Sequence, residues 1–194
     1  MSDRSRFLVT PHWLHERLGR TDVRIVDGSW YLPAQNRDGK AEYAAAHIEG
    51  AVFFDIDAIA DTSSGLPHML LGAEEFAETV GAMGISDADT IVVYDGAGLF
   101  SAARVWWNFK VMGAKNVFIL DGGLPAWVAS GLPVTDAQSR YAPKVFTPRF
   151  NTSAIKSKAD VIASLQSKSA QIVDARPAAR FSGDAPEPRP GLRP

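Results

Sequence analysis

The stretch TIVVYDGAGLFSAARVWW, residues 90–107, decides how the chain is read. Four apolar residues, Ile91 to Tyr94, run into Asp95. The glycine-rich turn Gly96-Ala97-Gly98 follows, and then a segment with helical spacing. A short apolar run feeding a glycine-rich loop and a helix is the pattern of a buried parallel strand entering a βα turn. In an open α/β sheet that turn stands at the carboxyl ends of the strands, where ligands bind.

Working outward, the same alternation recurs. Thr10-Pro11 reads as an N-cap with proline at the first helical position, opening a helix to Leu18 that Gly19 ends. Strands are expected at 23–26, 52–54 and 117–120, and helices at 40–47, 73–83, 100–112 and 126–129, with one helical turn over 55–61. Glu74 and Glu75 complement the helix dipole in the first turn of 73–83. Strands alternating with helices predict an α/β fold with a mainly parallel sheet covered by helices on both faces.

From 135 to 151 the periodicity stops, and Pro143 and Pro148 mark a linker crossing the surface. Beyond it a helix is expected at 157–167 and a strand at 171–173 ending on Asp174. Val23-Arg24-Ile25-Val26-Asp27 and Ala170-Gln171-Ile172-Val173-Asp174 are alike, each after a helix of similar length, which hints at an internal repeat. One helix and one strand cannot bury a core. The chain therefore reads as a complete domain over 1–134, a linker over 135–151 and the truncated beginning of a second domain over 152–194. Residues 156–194 are expected to be disordered, exchanged with another copy, or paired with a separate piece, with Ile172 and Val173 stripped of sheet neighbours.

Composition narrows the chemistry. The 194 residues are 46% hydrophobic and 22% charged, an ordinary globular balance. A formal charge of −2 offers no field for nucleic acid. No apolar run approaches the roughly 20 residues of a membrane helix, and the N-terminus has no signal-peptide core, so a cytoplasmic location is expected. Cysteine is absent, which removes disulfides, thiolate metal sites and a cysteine nucleophile from these residues. His12 and His15 share a helical face, but two imidazoles do not complete a zinc site, and no metal or other cofactor is expected.

The central loop admits two readings from its residues alone. Gly96-Ala97-Gly98-Leu99-Phe100-Ser101 nearly matches the dinucleotide fingerprint, and the next strand ends in Asp121, where a ribose-binding acid would stand. Against this, Ser101 replaces the third small residue, and the strand is not the first of the sheet. The other reading is a tight turn that needs glycine for its backbone.

Several stretches taken together resemble the rhodanese family, in particular its two-domain mercaptopyruvate/thiosulfate sulfurtransferases. They are 42–55 (EYAAAHIEGAVFFD), 66–70 (LPHML), Tyr94-Asp95 with 98–107 (GLFSAARVWW), Asp121-Gly122-Gly123-Leu124 with Trp127, 174–181 (DARPAARF) and 187–191 (EPRPG). The resemblance implies two similar domains with the active site between them and the catalytic cysteine on the second. It places Asp95 at the degenerate counterpart of the cysteine loop, as a structural cap. It implies that Asp57 and His68 form a proton relay with a serine of that loop, and that Arg180 and Arg189 bind the carboxylate and ketone of mercaptopyruvate. A planar guanidinium suits such a bidentate grip, at about 1.5–3 kcal/mol per charged hydrogen bond. The implied partners are a small keto-acid thiol as sulfur donor, a thiol or cyanide as acceptor, and the missing catalytic half or a second copy of the chain. A non-catalytic rhodanese-like binding module is the alternative, and a nucleotide-dependent enzyme the remote one.

Overall fold

The computed structural model describes residues 6–187. The chain folds as two units, Met1–Thr152 and Ser153–Pro194. The first is built on five parallel strands: β1 (Leu8–Val9), β2 (Val23–Asp27), β3 (Ala51–Phe53), β4 (Thr90–Tyr94) and β5 (Asn116–Leu120). They lie in the order β1-β5-β4-β2-β3, which puts the apolar run of the decisive stretch at the centre. Ile91 to Tyr94 are all fully buried. Near-continuous apolarity, rather than alternation, is what a parallel strand covered on both faces requires.

The side chains of each strand divide between two cores. Ile91 and Val93 of β4 join Val26, Val117 and Ile119 beneath α3 (Ala73–Ala82) and α4 (Ala102–Val111), with Phe76, Val105 and Phe109 as the helical contribution. Val92 and Tyr94 face the other way. They pack with Ile25, Leu120, Leu14 of α1 (Pro11–His15) and Trp127 of α5 (Gly123–Ala129), with Tyr43 of α2 (Gly39–Ala45) against them. Helices thus cover both faces, as the alternation of elements predicts.

Local chemistry sets the boundaries. Thr10 Oγ1 accepts from Trp13 N at 3.2 Å with Pro11 in the first turn, the cap that the sequence announces. Regular helix ends earlier than expected, at His15, and the chain turns on to Gly19, whose φ of +74° favours glycine. Over 55–61 the chain makes a single helical turn, closed by Ile59 N on Asp55 O at 2.8 Å, and no longer helix. Strand β1 has no counterpart in the sequence reading. Two residues are too few to show a period, and only pairing with β5 defines it.

The stretch 135–151 corrects an expectation. It contains no helix and no regular strand, yet it does not merely cross the surface. His47 and Thr135 exchange two backbone hydrogen bonds of 2.9 Å, Arg149 N donates to Met112 O, and Asn151 N donates to Val111 O. Lys144 Nζ meets the Asp89 carboxylate at 2.7 and 2.9 Å. Phe146 is 4% exposed and packs edge-on to Phe76. It is a strap within the first unit, held by these bonds and by a buried aromatic that periodicity could not flag.

The second unit carries α6 (Lys158–Ser167) and α7 (Ala178–Ser182). Ser157 and Asp160 form a reciprocal capping box at the start of α6. The strand expected at 171–173 is not formed, and Ile172 and Val173 are exposed. The β-propensity is present, but among the described residues no strand pairs with it, and an unpaired strand has nowhere to place its backbone hydrogen bonds.

Candidate functional site

The carboxyl ends of β2 and β4 form the switch point of the sheet, because β3 lies beyond β2 on one side and β4 on the other. The loop after β4 closes on its own first residue. The Asp95 carboxylate is fully buried and accepts four backbone N–H groups: Ala97 at 2.9 Å, Gly98 at 2.8 Å, Phe100 at 2.6 Å and Ala102 at 2.8 Å. These are the donors that a phosphate-binding loop would turn outward. Here they serve an internal anion, which removes the dinucleotide reading and delays α4 to Ala102. Asp121-Gly122-Gly123 is explained by the same packing. A Cβ on Gly123 would lie 2.4 Å from Asp95 O, and Gly123 has a φ of +56°.

The loop is also tied to the end of β2. Gly96 N donates to Ser29 Oγ at 2.9 Å, and Trp30 N donates to Ser101 Oγ at 3.1 Å. Asp27, the last residue of β2, accepts from Ser29 N at 2.8 Å, and burial raises its carboxyl above the usual range with the Asp95 charge adding to the effect.

Beside Trp30 stands the pair implied for a proton relay. His68 Nε2 and Asp57 Oδ1 are 2.7 Å apart, and Trp30 Nε1 donates to Asp57 Oδ2 at 3.0 Å. Both carboxylate oxygens are thereby engaged. Against a carboxylate oxygen Nε2 carries the ring hydrogen, which leaves Nδ1 as the proton-accepting nitrogen. The indole meets the imidazole edge-on at 4.9 Å. Asp57 is positioned by Asp55 Oδ1, which accepts from Asp57 N and Ala58 N at 3.1 Å each. His68 has a φ of +57°, a conformation few non-glycine residues adopt, and its carbonyl accepts from Arg104 Nη2. Arg104 lies over the Trp107 ring at 4.9 Å, and burial lowers its pKa. A cleft of about 350 Å³ runs on from the pair, lined by Trp30, Phe53, Ile56 and Asp57 and by the charged Arg37 and Lys40. Tyr31, whose hydroxyl is pushed up by burial and by its hydrogen bond to Glu42, stands beneath Arg37.

In the second unit Arg180 Nη2 and Arg176 Nη1 each meet the Glu187 carboxylate at 2.5 Å, and Arg176 also pairs with Asp174 at 2.7 Å. The hydrogen bond from Arg180 is the largest of the effects holding the Glu187 carboxyl below its usual range. Arg180 is thus engaged by an internal carboxylate. Arg189 lies outside the described residues. Among the described residues no cluster of histidine and acidic side chains could hold a metal ion, and no helix is long and apolar enough to cross a membrane.

A family model described as the rhodanese-like domain matches residues 10–130. The chain belongs to the rhodanese family. Among curated relatives of this rhodanese chain, the 3-mercaptopyruvate sulfurtransferase of Rattus norvegicus is 42% identical over 97% of the chain and 66% of its own length. The 3-mercaptopyruvate sulfurtransferase of Escherichia coli is 40% identical over 96% of the chain and 67% of its own length. The crystal structure of the 3-mercaptopyruvate sulfotransferase SseA from Escherichia coli superposes with a TM-score of 0.87 at 38% identity, covering 95% of this chain and 71% of that one. The chain spans 55–66% of the length of the Arabidopsis thaliana and rat relatives that it matches.

Within the rhodanese domain, then, Asp57 and His68 are brought together and Asp95 is walled in. Trp30, which donates to Asp57, and Arg104, which donates to the His68 carbonyl, have no counterpart in the sequence reading. Arg104 lies in a stretch that resembles the family, but its partner is a backbone carbonyl, and no residue pattern signals that contact.

Proposed function

We propose that this chain is the non-catalytic half of a sulfurtransferase that moves sulfur from 3-mercaptopyruvate, or thiosulfate, through a cysteine persulfide to a thiol or cyanide. The observation that carries the reading is the 2.7 Å contact of His68 with Asp57 beside a cleft at the carboxyl ends of the strands. The names of the curated relatives agree with it.

In the proposed reaction a cysteine thiolate outside these 194 residues attacks the donor sulfur. The C–S bond breaks, its electron pair passes to the enolate of pyruvate, and a proton completes pyruvate. The persulfide sulfur then passes to the acceptor thiolate, which regenerates the cysteine. His68 Nδ1 exchanges a proton with a hydroxyl near the transferring sulfur, while Asp57 fixes the ring and its tautomer. Arg180 and Arg189 take the donor carboxylate and ketone, which requires the substrate to displace Glu187 from Arg180. Residues 1–134 are the non-catalytic domain, 135–151 the connection, and 152–194 the beginning of a second copy of the fold. The partner is a cysteine-bearing second domain or another copy of the chain, and the location is the cytoplasm.

The absence of cysteine supports a second reading, a rhodanese-like binding module without chemistry of its own. Pyruvate release from 3-mercaptopyruvate with a thiol acceptor separates the two. The 194 residues alone should give no turnover. The same residues continued into or mixed with a cysteine-bearing rhodanese domain should give it, and failure of every such combination would leave the binding module.

A further inference from the structure

We infer that the loop after β4, although it carries no nucleophile, is the frame that positions the relay pair, with Trp30 and Arg104 as the positioning residues. The inference rests on the reading of Asp57 and His68 as a proton relay.

Asp95, Trp30 and Arg104 form a connected path. By accepting from Phe100 N and Ala102 N, Asp95 fixes the last turn of the loop and the first residue of α4. Ser101, between those two amides, presents its hydroxyl to Trp30 N. Phe100 lies nearly parallel to the Trp30 indole, with centroids 6.5 Å apart and an interplanar angle of 16°. The backbone and the ring of Trp30 are thus both held from the loop. Its indole N–H can then engage only one oxygen of Asp57, which leaves the other for His68. A freely rotating carboxylate would offer either oxygen to either donor.

Arg104, in the first turn of α4, completes the frame from the opposite side. Its Nη2 holds the carbonyl of His68, the residue whose backbone is in the left-handed region. Its Nε is buried without a hydrogen-bond partner, and among the described residues no carboxylate pairs with the guanidinium. A half-buried guanidinium that gives up a counter-ion costs free energy. Serving instead a carbonyl on a strained residue gives that cost a local purpose, because the strained conformation persists only where its surroundings impose it. Trp30 sets the carboxylate, and Arg104 sets the backbone from which the imidazole projects.

The protein as it stands tests this, because the readout is the ring hydrogen of His68 rather than turnover. Nitrogen-15 NMR of the 194-residue chain should show neutral His68 as one tautomer, protonated at Nε2. Trp30→Phe keeps the ring and removes the N–H, and Arg104→Met keeps the stem and removes every donor of the guanidinium. Each should leave the melting transition cooperative while turning the His68 signals into a mixture of tautomers. Arg104→Lys, which restores a donor, should recover most of the single form. Unchanged tautomer populations in both Trp30→Phe and Arg104→Met would overturn the inference, as would the Nδ1-protonated form in the wild type.

In a cysteine-bearing enzyme containing this chain, the same two variants should lower kcat about ten- to a hundredfold with little change in KM, the scale of a misplaced catalytic group. A loss seen only in KM would also overturn it. If the tautomer responds but His68→Ala leaves kcat untouched, the positioning geometry stands and it is the proton-relay function that falls.

Discussion

Asp95 follows β4 and Asp57 stands in the turns after β3, on either side of β2 in the same sheet. Asp95 is sealed by four backbone amides, and its side chain is fully buried. Asp57 has a side chain 65% exposed, and its two oxygens go to side chains, an indole and an imidazole. An anion satisfied by its own loop acts as a structural centre. An anion satisfied by a titratable ring beside an open cleft can act through that ring. The difference lies in the partners, not in the residue type.

The largest effect should come from emptying the sealed site. Asp95→Ala leaves four amides pointing at a void, and removing a buried anion that holds several donors should cost on the order of 3–5 kcal/mol. Urea unfolding should show the midpoint fall with the slope retained. A loss under 1 kcal/mol would mean that water replaces the carboxylate, and the contrast with Asp57 would collapse. His68→Ala should do the reverse. In a cysteine-bearing enzyme, kcat should drop about a hundredfold, ~2.7 kcal/mol of barrier. As an exposed change, Asp57→Asn should hold stability within about 0.5 kcal/mol while reproducing much of that loss.

Much of the first unit could be read from periodicity, because a parallel strand buried on both faces has a distinctive apolar run. That held for β2, β4 and β5, and glycine and proline placed the helix ends within a few residues. What escaped depended on contacts between distant segments. Strand β1 exists only through β5, and the strap is pinned by Phe146 on Phe76 and by Lys144 on Asp89. The strand expected over 171–173 failed for the complementary reason, since its propensity found no neighbour. At the site, the turn chemistry of Asp95 follows from an acid before glycines. The roles of Trp30 and Arg104 do not, because one meets a side chain 27 residues away and the other a carbonyl 36 residues away.

Asp27 sharpens the comparison at the smallest scale. It ends β2 as Asp95 follows β4, and is as thoroughly buried, yet its carboxylate takes the Ser29 amide and the hydroxyls of Ser29 and Tyr94 rather than a ring of loop amides. Burial outweighs these donors, and its carboxyl is raised above the ordinary value, the nearby Asp95 charge pushing the same way. The folded chain therefore holds this proton more tightly than the unfolded chain. Below the ordinary aspartate range both states are protonated and Asp27 carries no penalty. As pH rises from there through the raised value, the unfolded chain releases its proton first, and the contribution of Asp27 to stability declines. Asp27→Asn keeps an oxygen for Ser29 N and cannot ionise. The variant should match the wild type in acid and gain on it toward neutral pH, by on the order of 1 kcal/mol, the size of an ordinary substitution. Thermal unfolding of both proteins across that range reads the difference directly. A gap that stays constant with pH would show that the Asp27 proton is not linked to folding.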